Sequence, residues 1–104
     1  MDEQWVSAGP LSSLPEGELR TIDAEDVSVV IVKLGGEVFA LDDQCPHQGG
    51  PLGRGELKEG VIWCPWHCWQ FDARTGRPVW PESNWRATRY PVKIEDGQIL
   101  VRVG

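Results

Sequence analysis

Two stretches decide the fold of this chain: Cys45-Pro46-His47 and Cys64-Pro65-Trp66-His67. Sixteen residues separate His47 from Cys64, and these two histidines are the only ones in the protein. Thiolate and imidazole are the side chains that bind zinc and iron–sulfur clusters. We therefore predict that the four residues Cys45, His47, Cys64 and His67 bind one metal centre.

Two kinds of metal centre accept four such ligands. Structural zinc is tetrahedral, but zinc fingers usually place two cysteines on one knuckle and two histidines on a helix. Here each stretch supplies one cysteine and one histidine. A Rieske-type 2Fe–2S centre requires this mixed arrangement, because one iron takes two thiolates and the other takes two imidazoles. The pattern favours one 2Fe–2S cluster as the cofactor, with a zinc-stabilised interaction module as the alternative.

The residues around the ligands resemble the two cluster loops of Rieske iron–sulfur proteins. This likeness is carried by Cys45 to Leu52, by Cys64 to His67, and by Phe71-Asp72-Ala73-Arg74-Thr75-Gly76. The resemblance extends along nearly the whole chain and is strongest to the Rieske ferredoxins of ring-hydroxylating dioxygenase systems. It implies that the two cysteines hold the inner iron and that the two histidines hold the outer iron, near the surface.

Strand signals flank the metal-binding stretch on both sides. Gly35-Gly36 separates the apolar runs 28–34 and 37–41, and Asp96-Gly97 separates 90–95 from 98–103, so both dipeptides predict two-residue hairpin turns. Shorter strands are predicted at 18–23, 61–64 and 70–72. No segment has a sustained period of 3.6 residues, and 22–27 could form at most one helical turn.

These signals predict an all-β protein, and the resemblance implies the Rieske iron–sulfur fold. We expect residues 1–104 to form a single domain, since 104 residues leave no room for a second independent core. The flanking hairpins would build a β-sandwich base, into which a small cluster-binding subdomain of approximately residues 43–82 is inserted. By resemblance, Pro78 and Pro81 would belong to a third loop covering the cluster.

The resemblance also places the centre at the low-potential end of its class. High-potential Rieske proteins have a disulfide between cysteines at the positions of Gly50 and Trp66, and hydroxyl donors at those of Trp69 and Phe71. This chain has none of the four. Without those donors the reduced state is less stabilised, so we expect a potential of about −150 mV. Cys68, beside a predicted ligand, is interpreted as a spare thiol with no redox role, with an alternative ligand or an oxidation site as the other interpretation.

The charge of the chain bears on its partners. Net charge is −6, with ten acidic and two basic residues in positions 1–43. Nucleic acid is an improbable partner for such a surface, because phosphates require basic side chains. No apolar stretch approaches the roughly 20 residues of a membrane span. The acidic N-terminus does not resemble a secretory signal, so we expect a cytoplasmic protein.

These observations lead to a functional hypothesis. A one-electron centre in a small domain cannot transform an organic substrate alone, and no glycine-rich nucleotide fingerprint follows a strand. We expect an electron-transfer component rather than an enzyme: a monomer that transiently binds a flavoprotein reductase and a terminal oxygenase. The second hypothesis is the small Rieske subunit of an NAD(P)H-dependent nitrite reductase.

Overall fold

The computed structural model describes residues 5–44, 51–65, 69–80 and 86–103 of the chain. Within these ranges the protein consists of β-strands and two short 3-10 turns, Leu11–Ser13 and Leu52–Arg54, which confirms the all-β class. The strands are, in chain order, β1 (Trp5–Pro10), β2 (Leu19–Ala24), β3 (Val27–Leu34), β4 (Glu37–Asp42), β5 (Glu56–Lys58), β6 (Val61–Trp63), β7 (Gln70–Asp72), β8 (Pro78–Trp80), β9 (Arg89–Tyr90), β10 (Val92–Glu95) and β11 (Gln98–Arg102).

The described strands form three sheets whose neighbours are all antiparallel. The first has the order β1-β11-β10, the second β2-β3-β4-β9, and the third β5-β6-β7-β8. The third sheet lies in the sequence between β4 and β9, which are themselves paired, so it is an insertion into the second sheet. Its strands fall within the predicted subdomain of approximately residues 43–82, whose boundaries stay a prediction.

Strand β3 connects the two hydrophobic cores of the protein. Val29 and Ile31 belong to one core together with residues of β11, whereas Val30 and Val32 belong to a second core with residues of β6 and β7. Successive side chains of a strand point to opposite faces, and all four of these are fully buried. The continuous apolar run in the sequence is therefore explained by burial of the middle sheet on both faces.

Both predicted hairpin turns are confirmed. Gly35 and Gly36 have φ of 62° and 81°, and Asp96 and Gly97 have φ of 52° and 76°. Two consecutive positive φ values define the type I′ turn, which matches the twist of paired strands. The turn between β5 and β6 also has two consecutive positive φ values, 51° at Glu59 and 79° at Gly60. This third turn was not predicted from the sequence.

The structure corrects some details of the sequence prediction. The run 90–95 is divided at Pro91 into β9 and β10, which belong to different sheets. Pro78 lies in β8, opposite Phe71, rather than in a loop; Pro81 lies outside the described residues. In the part of the chain that the structure describes, no helix has the length and apolar character needed to cross a membrane.

Candidate metal centre

Of the four predicted ligands, the structure describes Cys64. Cys45, His47 and His67 lie outside the described residues, as does Cys68. Within the four described ranges, no three His, Cys, Asp or Glu side chains come together in a group able to hold a metal ion. The site is therefore characterised through Cys64 and through the residues that flank the other ligands in the sequence.

Cys64 lies at the end of β6, where the second loop begins. Its side chain is 2% exposed and belongs to the same core as Ile62 and Phe71. The Cys64 N–H donates to the Trp69 carbonyl at 2.7 Å, and the next residues outward, Trp63 and Gln70, are register partners in the β6–β7 ladder. We call these four residues, Trp63, Cys64, Trp69 and Gln70, the second neck. It holds a buried thiol at the start of the loop.

The chain on either side of residues 45–50 is also closed by hydrogen bonds. Gln44 and Pro51 form an antiparallel bridge, and the Leu52 N–H donates to the Asp43 carbonyl at 2.6 Å. Leu52 is fully buried in the core that contains Cys64. We call Asp43, Gln44, Pro51, Leu52 and Gly53 the first neck. It fixes the two ends of the stretch that contains Cys45 and His47.

The third sheet brings the two necks to the same end. The first neck continues into the turn at Leu52–Arg54, and Glu56, shortly after this turn, pairs with Trp63. Trp63 pairs with Gln70, and Gln70 pairs with Trp80. The residues before and after 66–68, the residue before 81–85 and the start of β5 therefore lie at one end of the third sheet. A surface cavity of about 280 Å³ opens there between Arg54–Glu56 and Trp63–Pro65.

Two glycines make this close packing possible. A Cβ on Gly55 would lie 1.8 Å from the Trp63 carbonyl oxygen, and one on Gly53 would lie 1.8 Å from Thr21 Oγ1. Neither position has space for a side chain, because real Cβ atoms do not approach other heavy atoms so closely. Gly55 therefore lets β5 approach the second neck, and Gly53 lets the first neck approach β2.

Aromatic side chains surround the second neck. Trp69 and Phe71 have ring centroids 6.3 Å apart, and the Lys58 ammonium lies 5.3 Å from the Trp63 centroid. Phe71 is fully buried, while Trp63 and Trp69 are half-buried. Trp66, the third tryptophan of this stretch, lies outside the described residues. The described rings present apolar surface beside Cys64, which limits the access of water to that side of the site.

Sequence reasoning missed the carboxylates that precede the first loop. Asp42 accepts hydrogen bonds from the Tyr90 hydroxyl at 3.0 Å and from the Gln44 N–H at 2.9 Å. Asp43 accepts from the Gly53 N–H at 2.7 Å and from Ser28 Oγ at 3.1 Å. The signal that could have found them is the position of Asp42-Asp43 immediately before the ligand stretch, since aspartates readily accept hydrogen bonds from nearby backbone N–H groups.

Tyr90 has the largest described shift in pKa beside the site. Burial raises its pKa to about 12, and the hydrogen bond that it donates to Asp42 acts in the same direction. Loss of the phenolic proton would place an anion beside the Asp42 carboxylate, which explains why the neutral form is preferred. Tyr90 thus stays a hydrogen-bond donor over the physiological pH range and connects β9 to the end of β4.

The chain is similar to known proteins along its whole length. The Rieske [2Fe-2S] domain family matches residues 4–91. The ferredoxin component of a naphthalene 1,2-dioxygenase system from Pseudomonas aeruginosa is 32% identical, over 97% of each chain. The ferredoxin of carbazole 1,9a-dioxygenase from Nocardioides aromaticivorans superposes with a TM-score of 0.87 at 30% identity, covering 94% of this chain and 96% of that one. The chain belongs to the Rieske [2Fe-2S] domain family.

A further solved structure has a different description. A protein described as the small subunit of an NADH-dependent nitrite reductase, from Mycobacterium tuberculosis, superposes with a TM-score of 0.86. It is 20% identical and covers 100% of this chain and 98% of that one. At this identity the likeness concerns the fold alone.

These findings confirm several predictions. The resemblance to Rieske ferredoxins and the Rieske fold are confirmed. The cofactor is one Rieske-type 2Fe–2S cluster, and the protein is an electron carrier of the ferredoxin type rather than an enzyme. The described residues fit this cofactor, because a buried thiol stands at the start of one loop and the ends of the other loop are fixed nearby. The assignment of the individual ligands stays a prediction.

Proposed function

We propose that Cys45, His47, Cys64 and His67 bind the cluster and that the protein carries single electrons from a flavoprotein reductase to a terminal oxygenase. When bound, the cluster supplies a one-electron redox couple. The two cysteines would bind one iron and the two histidines the other. The protein provides the ligands, the fixed ends of both loops and the apolar surroundings of Cys64.

The single observation that carries this proposal is the convergence of the two necks. The strands β5 and β6 place Glu56 opposite Trp63, so the chain that leaves the stretch with Cys45 and His47 and the chain that enters the stretch with Cys64 and His67 meet at one sheet end. Two loops attached side by side, each with one thiolate and one imidazole, supply both pairs of ligands to one site. This arrangement supplies four ligands to one site, and the match to the Rieske [2Fe-2S] domain family favours a mixed-ligand cluster over a zinc-stabilised interaction module.

Similarity to the ferredoxin components supports the oxygenase system as the electron acceptor. The naphthalene dioxygenase ferredoxin matches this chain over 97% of both lengths, so the likeness is to a whole protein of the same size. The nitrite reductase small subunit has the same fold at lower identity and supports the second hypothesis less strongly.

The side chains next to the second neck support a low potential. Phe71 is fully buried and Trp69 is half-buried, and neither carries a hydroxyl that could stabilise added negative charge. We expect the reduction potential to be about −150 mV. We also propose that the protein is a cytoplasmic monomer that binds each partner transiently, since an electron carrier must dissociate after each transfer.

A partner assay tests the proposed function. Protein loaded with its cluster under anaerobic conditions is mixed with an NADH-dependent flavoprotein reductase of a Rieske dioxygenase system, and the reduction is followed in a stopped-flow spectrophotometer. We expect complete one-electron reduction, followed by reoxidation when the matching oxygenase is added. Efficient reduction without any transfer to an oxygenase, together with stable association with a sirohaem nitrite reductase subunit, would favour the second hypothesis instead.

A ligand substitution tests the site assignment separately. His47→Cys replaces a neutral imidazole with a thiolate and adds one negative charge to the ligand set, so an electron becomes harder to add. We expect the potential to fall from about −150 mV toward the roughly −400 mV of four-cysteine ferredoxins. Voltammetry measures the shift, and an unchanged potential in a variant that retains its cluster would show that His47 is not a ligand.

A further inference from the structure

Asp43 joins three separate segments of the chain at the first neck. Its N–H donates to the Ser28 carbonyl at 3.0 Å, and its own carbonyl accepts from the Leu52 N–H at 2.6 Å. Its carboxylate accepts from Ser28 Oγ at 3.1 Å and from the Gly53 N–H at 2.7 Å. One residue therefore connects the start of β3 to both ends of the stretch that contains Cys45 and His47.

The carboxylate adds a charge-assisted hydrogen bond to this backbone pairing. The contact of Asp43 Oδ1 with the Gly53 N–H is short and charge-assisted, and such bonds are roughly twice as strong as neutral ones. It forms because Gly53 lacks a side chain: a Cβ there would lie 2.9 Å from Asp43 Oδ1 and 1.8 Å from Thr21 Oγ1. The Asp43 carboxylate therefore reaches the Gly53 N–H only because residue 53 has no side chain.

The neighbouring carboxylate has a different set of partners and provides a natural comparison. Asp42 accepts from the Tyr90 hydroxyl and from the Gln44 N–H. Its described side-chain hydrogen bonds thus reach the near end of the stretch and β9, but not the far end at Leu52 and Gly53. The two aspartates are adjacent and carry the same charge. Of the two, only Asp43 has a described side-chain hydrogen bond to the far end of the stretch, at Gly53.

We propose that Asp43 is a positioning residue for the cluster, whose carboxylate fixes the separation of the two ends of the first ligand stretch. Cys45 and His47 are then presented to the metal in one geometry. The inference rests on the proposed ligand assignment and adds to it a residue that touches no metal. Residues that orient metal ligands typically contribute a factor of about 10 to 100 in metal affinity.

Four variants of the cluster-loaded protein test this role. Asp43→Ala removes both side-chain hydrogen bonds. Asp43→Asn removes the charge but keeps an oxygen that can accept from Gly53. Asp42→Asn removes the same charge one residue away, and Ser28→Ala removes the bond to Oδ2 while leaving the bond to Gly53. The readouts are the rate of iron loss to a chelator, the linewidth of the reduced-state electron paramagnetic resonance spectrum, and the midpoint potential.

We expect Asp43→Ala to lose iron at least about tenfold faster than the wild type and to give a broadened or multiple spectrum. Asp43→Asn should restore a single narrow spectrum and nearly the wild-type rate of iron loss. Asp43→Asn and Asp42→Asn should shift the potential in the same direction, which measures the effect of charge alone. The Ser28→Ala spectrum should stay narrow. If Asp43→Ala behaves like Asp42→Asn in spectrum and in iron loss, the proposal is wrong.

Failure to assemble a cluster is also informative. If Asp43→Ala binds no cluster, the proposal requires Asp43→Asn to bind one and Gly53→Ala, which displaces the same contact from the other side, to lose it. Absence of a cluster from Asp43→Asn, or assembly of one in Gly53→Ala, would overturn the proposal. These outcomes differ from failure of the proposed function, in which the wild-type protein itself would lack iron and sulfide or the His47→Cys variant would keep an unchanged potential.

Discussion

The two necks hold their loops in different ways. The second neck continues the β6–β7 ladder and rests on a buried core that includes Cys64 and Phe71. The first neck, which runs from the end of β4 into the turn at Leu52–Arg54, lies between two sheets and relies on the Asp43 carboxylate, which accepts from Ser28 and Gly53. The second neck is stabilised by regular strand pairing and a hydrophobic core, whereas the first neck depends on a few polar contacts.

This difference follows from where each loop leaves the fold. The second loop connects neighbouring strands of one sheet, and backbone hydrogen bonds of the described β6–β7 ladder close its two ends. The first loop connects β4 of the middle sheet with β5 of the third sheet, and no ladder runs across this junction apart from the bridge between Gln44 and Pro51 in the described part of the chain. Side-chain hydrogen bonds, such as those of Asp43, therefore hold the two ends of the first loop together. Substitutions in the two necks should produce different kinds of damage.

The largest effect is expected at the core of the second neck. Phe71→Ala removes a fully buried ring and leaves a cavity beside Cys64, which should lower the free energy of unfolding by about 3 to 5 kcal/mol. Chemical denaturation measures the change. Phe71→Leu is the matched control, since it keeps an apolar side chain and should cost clearly less. Equal losses in both variants would mean that the cavity is not the cause.

The next largest effect is expected from Gly53 and Gly55, the glycines that allow close packing at the two necks. Gly55→Ala would place a Cβ against the backbone of Trp63, which cannot rotate away, and should cost about 3 kcal/mol. Gly53→Ala meets a side-chain atom, Thr21 Oγ1, so it should cost less. Adding Thr21→Ala should recover part of the loss at Gly53 and none at Gly55. Recovery at Gly55 would contradict the assigned contact.

A smaller effect is expected at the link between the first neck and β9. Tyr90→Phe removes the hydrogen bond to Asp42 and should lower the free energy of unfolding by about 1 kcal/mol. Because the folded pKa is raised to about 12, the unfolded chain ionises first. The stability of the wild type should therefore fall as the pH rises from about 10 to about 12.

The same tyrosine can be titrated directly. It is the only tyrosine in the chain, so the ultraviolet absorbance of phenolate reports on it alone. We expect a titration midpoint near 12 for Tyr90 in the folded protein. We also expect the Tyr90→Phe variant to lack the loss of stability at alkaline pH that we attribute to Tyr90. A midpoint near 10 would show that Tyr90 is not held by Asp42.

The smallest effect is expected far from both necks, at the β3–β4 hairpin. The Gly36 and Gly35 N–H groups donate to the Glu16 carboxylate at 3.0 Å and 2.6 Å and lower the pKa of that carboxyl. Its stabilising contribution is present above the ordinary pKa of a glutamate and is lost as the pH falls from there through the lowered pKa of the folded protein. Glu16→Gln should flatten the acid limb of the stability profile and leave the cluster spectrum unchanged.

The sequence predicted the features that depend on local chemistry. The hairpin turns at Gly35-Gly36 and Asp96-Gly97 and the strand 70–72 agree with the structure, because turn residues and alternating apolar positions act over short distances. The Rieske family could be predicted from the two ligand stretches, since few sites combine cysteine and histidine in this way.

The features that the sequence did not reveal depend on contacts between distant residues. The bridge from Asp43 to Gly53 and the hydrogen bond from Tyr90 to Asp42 join positions 10 and 48 residues apart. The burial of β3 on both faces also depends on a sheet that forms elsewhere in the chain. Propensity and periodicity do not contain this information, because it arises only when the three sheets pack together.

The central claim is that both necks hold one cluster with two imidazole and two thiolate ligands. Pulsed electron paramagnetic resonance of the chemically reduced protein measures this most directly, using samples with natural and ¹⁵N-labelled histidine. We predict hyperfine couplings from two histidine nitrogens, one of which is lost in the His47→Cys variant. A reduced cluster without any histidine coupling, or purified protein that contains zinc and no iron, would contradict the account.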